Sequence, residues 1–578
     1  MRRWSSFEQG DRKRAAGCNG TGPSPRLWLV LLLLLFVACA PGESSRQPAY
    51  GTLEGAIPAP SAPVWLIGLD GAGWNMLDPL LEAGELPHLA ALIERGSSGV
   101  LRSENPTISP ALWATIATGQ PRDVHGVVNF TERVPGSYRT VESGPLDRRS
   151  PALWDHVGAA GGRSVVVNWF GSFPAETIEG VYLARGLDPA AARPGQVHPE
   201  GWLDAGPSFE ASSPPGWALE AIGRTPFLRE TLHDDQRSLD LLRRAVARES
   251  ADLVVSYFAG VDIAQHVTWK DMDPDYVPFP DEPPRDPALA QVIPSYYRYL
   301  DHVVGEIVAL APEDATIVVV SDHGGGPMRP EEAFHFQLEV VLSELGYIRK
   351  LQSGDFDWTR STAWAISELY RERKRIWLNL VETESQGIVP REQAASLAEE
   401  IETRLRGLRV EEGPLFDRIE NHLNGEDWMP GMPALTVEFA QAALTATRVR
   451  DGAASFAMDP VRLRHRDVSG GHRLDGMMVL AGPKIAPGRF TSPATLYQVA
   501  PTVLHLLGLP QDARLQPPAG QGGVLAEVLS PEWYAEHPPL IAEEYRTLPR
   551  LGRVVEGDAE ADPAEDASLA RLRALGYL

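Results

Sequence analysis

The sequence predicts an α/β fold with a mainly parallel central sheet and helices on both faces. Short runs of Val, Ile and Leu, at residues 64–70, 251–262 and 315–326, are typical of strands buried on both sides. Amphipathic patterns with helical period, at 228–250 and 295–311, alternate with those runs. Strands that alternate with helices usually form parallel sheets, because each crossover returns the chain to the same edge.

Further elements continue this alternation along the chain. Apolar residues recur at helical spacing over 86–96, and Gly96 is a typical helix terminator. The pattern also predicts four more elements: a helix over 150–162, a strand over 163–170, a strand over 476–482 and a helix over 494–508. We therefore expect one large α/β domain over 62–510.

Three regions differ in texture from this pattern. Residues 335–465 carry charged helical segments, and we interpret them as an insertion that forms a cap or subdomain. Residues 511–578 are expected to be a C-terminal extension that ends in a short amphipathic helix. Residues 39–61 are rich in Ser, Pro, Gly and Ala, which is the composition of a linker.

Basic residues precede a short apolar run at the N-terminus, which is the pattern of a secretory signal peptide. The run LWLVLLLLLFVACA is too short for a comfortable transmembrane helix, which needs about 20 residues. It ends in Val37, Ala38 and Cys39, and this ending resembles the lipobox of bacterial lipoproteins. We expect a signal peptide over 1–38, a lipid on Cys39, and an exported, membrane-anchored protein on the periplasmic or cell-surface side. An uncleaved anchor and an ordinary signal peptide are the alternatives.

Composition excludes several classes of chemistry. The chain has two cysteines, and Cys18 lies in the segment that we expect to be removed while Cys39 would be lipidated, so cysteine catalysis and cysteine-based zinc sites are excluded. The formal net charge of −24 argues against nucleic-acid binding along the surface. An acidic protein that binds phosphate needs a local device, such as metal ions or a helix N-terminus.

Potential metal ligands stand at or near the ends of several predicted strands, where open parallel sheets bind their ligands. Taken singly, an Asp at a strand end is usually a turn former and a His in a loop is usually solvated. Together they indicate a metal site, and Asp and neutral imidazole suit Zn²⁺. Asp262 and His266 are spaced i, i+4, so one helical turn puts both on the same face. The candidate ligands are Asp70, Asp262, His266, Asp322, His323 and His472.

The segment NPTISPALWATIATGQ supplies a candidate nucleophile, Ser109. Ser109 is expected at the N-cap and Pro110 at the first position of a helix that stops at Gly119. The simpler interpretation is a plain helix cap. The functional interpretation uses the same geometry, because a helix N-terminus favours an alkoxide and an incoming phosphate and a bound metal would activate the hydroxyl further. Thr107 is an alternative nucleophile that does not lie at the helix start.

As a set, these motifs resemble the type I phosphodiesterase/nucleotide pyrophosphatase family of the alkaline phosphatase superfamily. The stretch GLDGAG alone would be weak, since it also resembles a dinucleotide-binding loop. The resemblance implies an alkaline phosphatase-like fold and a hydrolase of phosphate esters, most specifically phosphodiesters. The segments that carry it occur in the family's order within residues 64–507: GLDGAGWNMLDPLLEAGELPHLAALIERG, PTISPALWATIATGQPRDVHGVVNF, DIAQH, VVSDHGGG and GGHRLDGMMVLAGPKI.

The resemblance also implies two zinc ions bridged by the substrate phosphate, with other divalent cations as an alternative. One ion would be held by Asp262, His266 and His472. The other would be held by Asp70, Asp322, His323 and the nucleophile Ser109.

Asn129, in HGVVNF, falls where the family places a donor to a phosphate oxygen; a turn residue is the alternative interpretation. Attack by Ser109 would give a phospho-Ser109 intermediate, which water would then hydrolyse. The chain departs from the family in several places: the nucleophile is commonly Thr, the residue before it is often Lys rather than Ile108, and Leu112 and Trp113 replace more polar residues. These departures put nucleotide substrates in doubt, so we expect a phosphate-ester small molecule or a lipid- or glycan-linked substrate.

Other activities share part of this pattern. A phosphomonoesterase or phosphotransferase of the same superfamily would use the same ligand set. A sulfatase is disfavoured because SPALW lacks the Arg of the C/S-x-P-x-R pattern. From another class, the chain could be a surface lipoprotein that binds a ligand without turnover.

Overall fold

The strands that the sequence predicts are present as short, buried segments of a large sheet. The structure is a computed structural model, and it describes residues 51–545 except 54, 135, 206–207, 279–281, 330–337, 366–373, 426–427, 441–442, 444–445, 458–467, 514, 516 and 543–544. The predicted signal peptide, the lipid on Cys39 and the terminal helix lie outside the described residues. None of the helices within these ranges has both the length and the apolar character needed to cross a membrane.

The strands are numbered in chain order: β1 Gly51–Thr52, β2 Val64–Leu69, β3 Ser97–Arg102, β4 Thr131–Arg133, β5 Thr140–Glu142, β6 Ser164–Val167, β7 Gly180–Leu183, β8 Val197–His198, β9 Leu253–Phe258, β10 Thr316–Val320, β11 Gly324–Pro327, β12 Ala363–Ala365, β13 Lys374–Leu378, β14 Arg409–Val410, β15 Gly413–Pro414, β16 Phe416–Asn421, β17 Leu435–Phe439, β18 Arg448–Asp451, β19 Ala454–Ala457, β20 Gly470–Arg473, β21 Asp475–Ala481, β22 Gly488–Arg489, β23 Ala494–Thr495, β24 Gln511–Asp512 and β25 Leu540–Ala542.

The α-helices are numbered in the same way: α1 Trp74–Glu82, α2 Pro87–Arg95, α3 Ser109–Thr118, α4 Arg122–His125, α5 Leu153–Ala159, α6 Gly216–Ala221, α7 Pro226–Arg248, α8 Gly260–Met272, α9 Val292–Leu310, α10 Leu338–Glu344, α11 Ala394–Gly407, α12 Val499–Leu506 and α13 Pro531–Glu536.

The central sheet has the strand order β22-β3-β21-β10-β2-β9-β6-β7-β8, and β23 also pairs with β3. The five strands β10, β2, β9, β6 and β7 run parallel to one another. Strand β21 is antiparallel to both β10 and β3, and β8 is antiparallel to β7. The prediction of a mainly parallel sheet is therefore confirmed.

Both faces of this sheet are covered by helices, as predicted. On β2, Val64 and Leu66 belong to one hydrophobic cluster, which includes side chains of α3, α5 and α12. The alternate residues Trp65 and Ile67 belong to a second cluster, which includes side chains of α1, α2, α7, α8 and α9. Because successive side chains of a strand point to opposite faces, this division gives β2 its continuous apolar run.

Strands β2, β9 and β10 are neighbours and run in the same direction, so their carboxyl ends lie at one edge of the sheet. Asp70 directly follows β2, and Asp322 lies two residues after β10. The prediction that a strand continues to Asp262 is wrong, because β9 ends at Phe258 and α8 begins at Gly260. Asp262 therefore lies in the first turn of a helix, where the i, i+4 spacing to His266 has its expected effect.

Residues 338–457 contain a second sheet, with the order β12-β13-β17-β16, and the helices α10 and α11. Their side chains form a hydrophobic core separate from the two clusters of the central sheet. The hairpin of β4 and β5 contacts this region, where Tyr138 stacks on Trp358 with ring centroids 3.9 Å apart and Arg133 pairs with Glu384. The prediction that 335–465 acts as a cap stays a prediction.

Candidate metal centre

The six predicted ligands and Ser109 come together at the carboxyl edge of the central sheet. We call Asp262, His266 and His472 the helix group, because two of the three lie on α8. We call Asp70, Asp322 and His323 the strand-end group, because each follows a parallel strand. There are two sets of three residues in which the three ligand atoms all lie within 4.8 Å of one another. One set is Asp262, His266 and His472, and the other is Asp70, Asp262 and His323. Asp262 belongs to both sets, so the two groups are contiguous.

The helix group is formed by one turn of α8 and by β20. His266 Nε2 lies 3.4 Å from Asp262 Oδ2, across the i, i+4 turn. His472 Nε2 lies 3.0 Å from His266 Nε2 and 3.7 Å from Asp262 Oδ1. The antiparallel pairing of β20 with β11 sets His472 opposite Gly325, and this register brings His472 beside the turn that follows β10.

The strand-end group surrounds the ring of His323. His323 Nε2 lies 3.4 Å from Asp70 Oδ1 and 3.6 Å from Asp322 Oδ2. The same nitrogen lies 3.3 Å from Ser109 Oγ. All four residues are buried. Residues that are far apart in the sequence are thus within contact distance of one imidazole nitrogen.

The main chain sets the orientation of all three imidazole rings. The Nδ1 atom of His266 lies 3.0 Å from the carbonyl oxygen of Gly470, and that of His323 lies 3.0 Å from the oxygen of Gly324. The Nδ1 atom of His472 lies 2.9 Å from the carbonyl oxygen of Thr107. A carbonyl only accepts, so in each ring Nδ1 carries the proton and Nε2 presents its lone pair to the cluster. This is the arrangement of metal-binding histidines.

The Asp70 carboxylate is held by one of its two oxygens. Trp113 Nε1 donates to Asp70 Oδ2 at 3.1 Å, and the Tyr257 hydroxyl donates to the same oxygen at 2.5 Å. The other oxygen, Oδ1, is buried and accepts no hydrogen bond from the described residues. Asp322 is arranged alike: the Gly71 amide approaches its Oδ1 at 3.5 Å, while its Oδ2 is buried and accepts no hydrogen bond from the part of the chain that the structure describes. Two carboxylate oxygens are therefore left with ligand capacity.

The electrostatics of the cluster show an excess of negative charge. Burial, and then the charges of Asp70 and Asp262, raise the pKa of Asp322 well above its usual range. Burial and the Asp262 charge also raise the pKa of Asp70. Burial acts in the same direction on Asp262, but His266 and His472 outweigh it and lower its pKa. A bound cation would offset the repulsion among the three carboxylates.

Ser109 is the first residue of α3, and Ile108 is the N-cap. The predicted placement, with Ser109 at the N-cap and Pro110 at the first helical position, is therefore wrong by one residue. The difference matters, because no side chain caps this helix. The Ser109 hydroxyl faces His323 instead of the backbone amides of its own helix, so the plain-cap interpretation is excluded.

Gly71 makes the close approach of the two groups feasible. Its φ of +71° lies in the left-handed region, and an added Cβ would lie 2.8 Å from Cβ of Asp262. A side chain at this position would force the first turn of α8 away from Asp70. The glycine after the first strand thus has a steric role.

Asn129 lies in the loop before β4, and it is buried. Its Oδ1 accepts a hydrogen bond from the Phe130 amide at 2.9 Å, and its carbonyl accepts one from the Ser143 hydroxyl at 2.5 Å. These bonds identify the amide nitrogen of the side chain as its donor end. The predicted contact with a phosphate oxygen stays a prediction, as do the catalytic and ligand roles of the other site residues.

Sequence reasoning missed the residues that support the ligands. The sequence pattern predicts only a strand position for Tyr257, and the resemblance marks Trp113 only as a departure from the family pattern. A polar-tipped aromatic residue inside the otherwise mostly aliphatic strand LVVSYF is the signal that could have drawn attention to Tyr257.

Fold and side-chain cluster together define a class: an α/β protein with carboxylate, imidazole and hydroxyl groups gathered at the carboxyl edge of its sheet. The family model of type I phosphodiesterase / nucleotide pyrophosphatase matches residues 64–433. The chain belongs to this family, and it is a hydrolase that acts on phosphate esters. A comparison with curated proteins found no match.

Solved structures with similar folds include two kinds of enzyme. Phosphonoacetate hydrolase from Sinorhizobium meliloti 1021, in complex with phosphonoformate, has 17% identity and a TM-score of 0.44, over 80% of this chain and 99% of that chain. Human ectonucleotide pyrophosphatase / phosphodiesterase 5 has 12% identity and a TM-score of 0.45, over 81% of this chain and 100% of that chain. A murine ectonucleotide pyrophosphatase / phosphodiesterase 5 in complex with AMP has 13% identity and a TM-score of 0.45, with the same coverage. At these identities and scores, the assignment depends on the family model.

Proposed function

We propose that the protein hydrolyses phosphodiesters, with two Zn²⁺ ions in the metal centre and Ser109 as the nucleophile. One observation carries this proposal: three imidazole Nε2 atoms lie in one cluster with two buried carboxylate oxygens that accept no hydrogen bond from the described residues. One of these nitrogens, that of His323, contacts the Ser109 hydroxyl. The helix group would hold one ion. The strand-end group and Ser109 would hold the other.

The donor set fits such ions. The Nε2 atoms of His266 and His472 lie 3.0 Å apart, and the Nδ1 contacts favour a lone pair on each. Two lone pairs that face each other at this distance repel, so a proton or a cation between them is favoured. With buried carboxylates on the same side, a dication satisfies both kinds of ligand. When bound, the ions would activate the hydroxyl and neutralise the charge of the phosphate.

The residues of the chain have distinct roles in the proposed reaction. Ser109 Oγ attacks phosphorus, so that a Ser–O–P bond forms as the bond from phosphorus to the leaving oxygen breaks, and the proton of the hydroxyl ends on the departing alcohol. The amide end of α3, a ten-residue helix, faces the incoming negative charge. Asn129 donates its side-chain amide to a non-bridging oxygen. Water then attacks phospho-Ser109, which releases phosphate ester and restores the hydroxyl.

The geometry favours Ser109 over Thr107 as the nucleophile. Thr107 Oγ1 lies 3.2 Å from Nδ1 of His472, which is the ring nitrogen that faces away from the other ligands. Ser109 Oγ instead contacts Nε2 of His323, on the ligand side. Thr107 therefore serves the orientation of His472.

The test compares Ser109→Ala with Thr107→Ala in Zn²⁺-loaded protein, with an aryl phosphodiester and an aryl phosphomonoester as substrates. Ser109→Ala should lower kcat for the diester by about 10³-fold or more. Elemental analysis should still find Zn²⁺ in this variant, because the helix group is unchanged. Thr107→Ala should lower kcat for the diester by a smaller factor. Unchanged turnover in Ser109→Ala would show that the nucleophile is assigned wrongly. A wild-type preference for the monoester would show that the substrate class is assigned wrongly. Turnover that neither chelation nor added Zn²⁺ affects would contradict the role of metal ions.

A further inference from the structure

We propose that Asp235 is a positioning residue for the helix group: it fixes the N-terminus of α8 and offsets the positive end of that helix beside the bound cation. This inference rests on the proposed function, since it concerns the same metal centre. Asp235 lies in the middle of α7, on a different helix from every ligand. Its carboxylate is 2% exposed.

Both oxygens of Asp235 are used at the start of α8. Oδ1 accepts a hydrogen bond from the Ala259 amide at 3.2 Å, and Oδ2 accepts one from the Gly260 amide at 3.1 Å. Oδ2 also accepts a hydrogen bond from the Tyr296 hydroxyl of α9 at 3.0 Å. The first amides of a helix have no partner within it, and here a carboxylate from another helix supplies one. Three helices are therefore joined at this point.

The packing at Gly260 leaves little freedom for this junction to shift. An added Cβ there would lie 1.8 Å from the hydroxyl oxygen of Tyr296 and 2.4 Å from Oδ2 of Asp235. Asp262 follows only two residues later, and His266 lies one turn further along α8. A displacement at the junction is thus transmitted directly to two of the three ligands in the helix group.

Charge gives Asp235 a second effect on the same ligands. The N-terminus of a helix carries about half a positive charge, and α8 presents this end within one turn of Asp262. That positive end opposes a cation at the helix group. A carboxylate on the first amides offsets it, whereas an amide side chain keeps an acceptor and loses the charge. Burial raises the pKa of Asp235 to about 7, so the carboxylate carries its full charge only in alkaline solution.

Asp301 provides a matched control in the same protein. It is also 2% exposed, and it accepts hydrogen bonds from the amides of His88 and Leu89, at 3.2 and 2.7 Å, at the start of α2. As at Asp235, a buried carboxylate from another helix accepts hydrogen bonds from the first amides of a helix, but α2 carries none of the predicted ligands of the metal centre. Asp301→Asn and Asp235→Asn should therefore both lower the thermal midpoint of the protein, but only the second should change cation binding.

The experiment titrates Zn²⁺ into metal-free protein in competition with a chromophoric chelator, for wild type, Asp235→Asn and Asp301→Asn. For Asp235→Asn we expect one of two ions to bind 10- to 100-fold more weakly, the range typical of residues that support metal ligands. Asp301→Asn should bind both ions within about threefold of wild type.

Each outcome decides the proposal. Equal affinities in Asp235→Asn and Asp301→Asn would reduce Asp235 to a structural cap and overturn its positioning role, with the metal centre untouched. Absence of Zn²⁺ binding in the wild type would overturn the proposed metal centre, and this role with it. If Asp235→Asn does not fold, Tyr296→Phe replaces it: loss of one donor to Oδ2 should weaken the same ion by severalfold, and unchanged binding would contradict the proposal.

Discussion

The two ligand groups meet at Asp262 but are built in different ways. The strand-end group lies on short turns after parallel strands. The carboxylate of Asp70 in this group is oriented by two side chains, the indole of Trp113 and the hydroxyl of Tyr257. The helix group lies on α8 and β20, and it depends on packing between helices that Asp235 joins. The sheet therefore sets one group directly, whereas the other follows the placement of a helix. We expect the helix group to be the more sensitive to remote substitutions.

Substitution of Asp262, the residue that the two groups share, should have the strongest consequence. Asp262→Asn removes a charge that lies within reach of both groups, so both ions should be lost and kcat/KM should fall by about 10³-fold or more. His472→Asn removes a ligand of the helix group alone and should leave one ion bound. Elemental analysis after gel filtration counts the ions in each variant. One ion retained by Asp262→Asn would mean that Asp262 serves a single group.

A smaller effect is expected from a substitution that weakens the support of the strand-end group. Tyr257→Phe removes the hydroxyl bonded to Asp70 and keeps the ring that packs against Trp113. We expect a 10- to 100-fold loss of affinity for one ion, since a charge-assisted bond to a ligand is lost. The other ion should bind as in wild type, because the Tyr257 hydroxyl donates to Asp70 of the strand-end group.

Tyr347→Phe is the matched control for this change. The Tyr347 hydroxyl donates to the carboxylate of Glu400 at 2.9 Å, in the region of the second sheet. Zn²⁺ titration against a chelator measures both variants. Equal losses at both ions in Tyr257→Phe would show that the two groups are not separable.

The smallest effect concerns the support of α3, the helix of Ser109. His125 is buried, and its Nδ1 accepts from the Val127 amide while its Nε2 contacts Thr115 of α3. Burial lowers the pKa of His125 to about 3, so below pH 6.5 the unfolded chain binds a proton that the folded protein does not. The contribution of His125 is thus lost as pH falls from about 6.5 towards 3, by about 2 kcal/mol at pH 5.

Urea unfolding of metal-free protein at pH 7.5 and pH 5 measures this loss. The control is His125→Asn, which keeps an acceptor for Val127 and does not titrate. Its free energy of unfolding should fall less on acidification than that of wild type. Parallel losses in the two proteins would assign the acid sensitivity to other groups.

Much of the fold, and the gathering of the predicted ligand side chains at one edge of the sheet, could be predicted from the sequence for physical reasons. A strand buried on both faces leaves a continuous apolar run, and Asp70 and Asp322 are conspicuous where such runs end. The helical spacing of Asp262 and His266 also predicts their shared face, although the predicted strand continues past Phe258, where β9 ends. The end of β9 was not readable because the apolar pattern continues without a break into α8.

The supporting bonds could not be predicted in this way. Tyr257 lies 187 positions from Asp70, and their contact exists because β2 and β9 are neighbours. Strand order depends on how all the crossovers pack, so no local pattern contains it. The same holds for Asp235, whose partners lie on two other helices.

The three imidazole rings are oriented by main-chain carbonyl oxygens rather than by carboxylate side chains. Every residue type carries that oxygen, so no single point mutation deletes the acceptor that sets a ring's tautomer. Substitutions around the metal centre can then change the substrate while the ring orientations are retained.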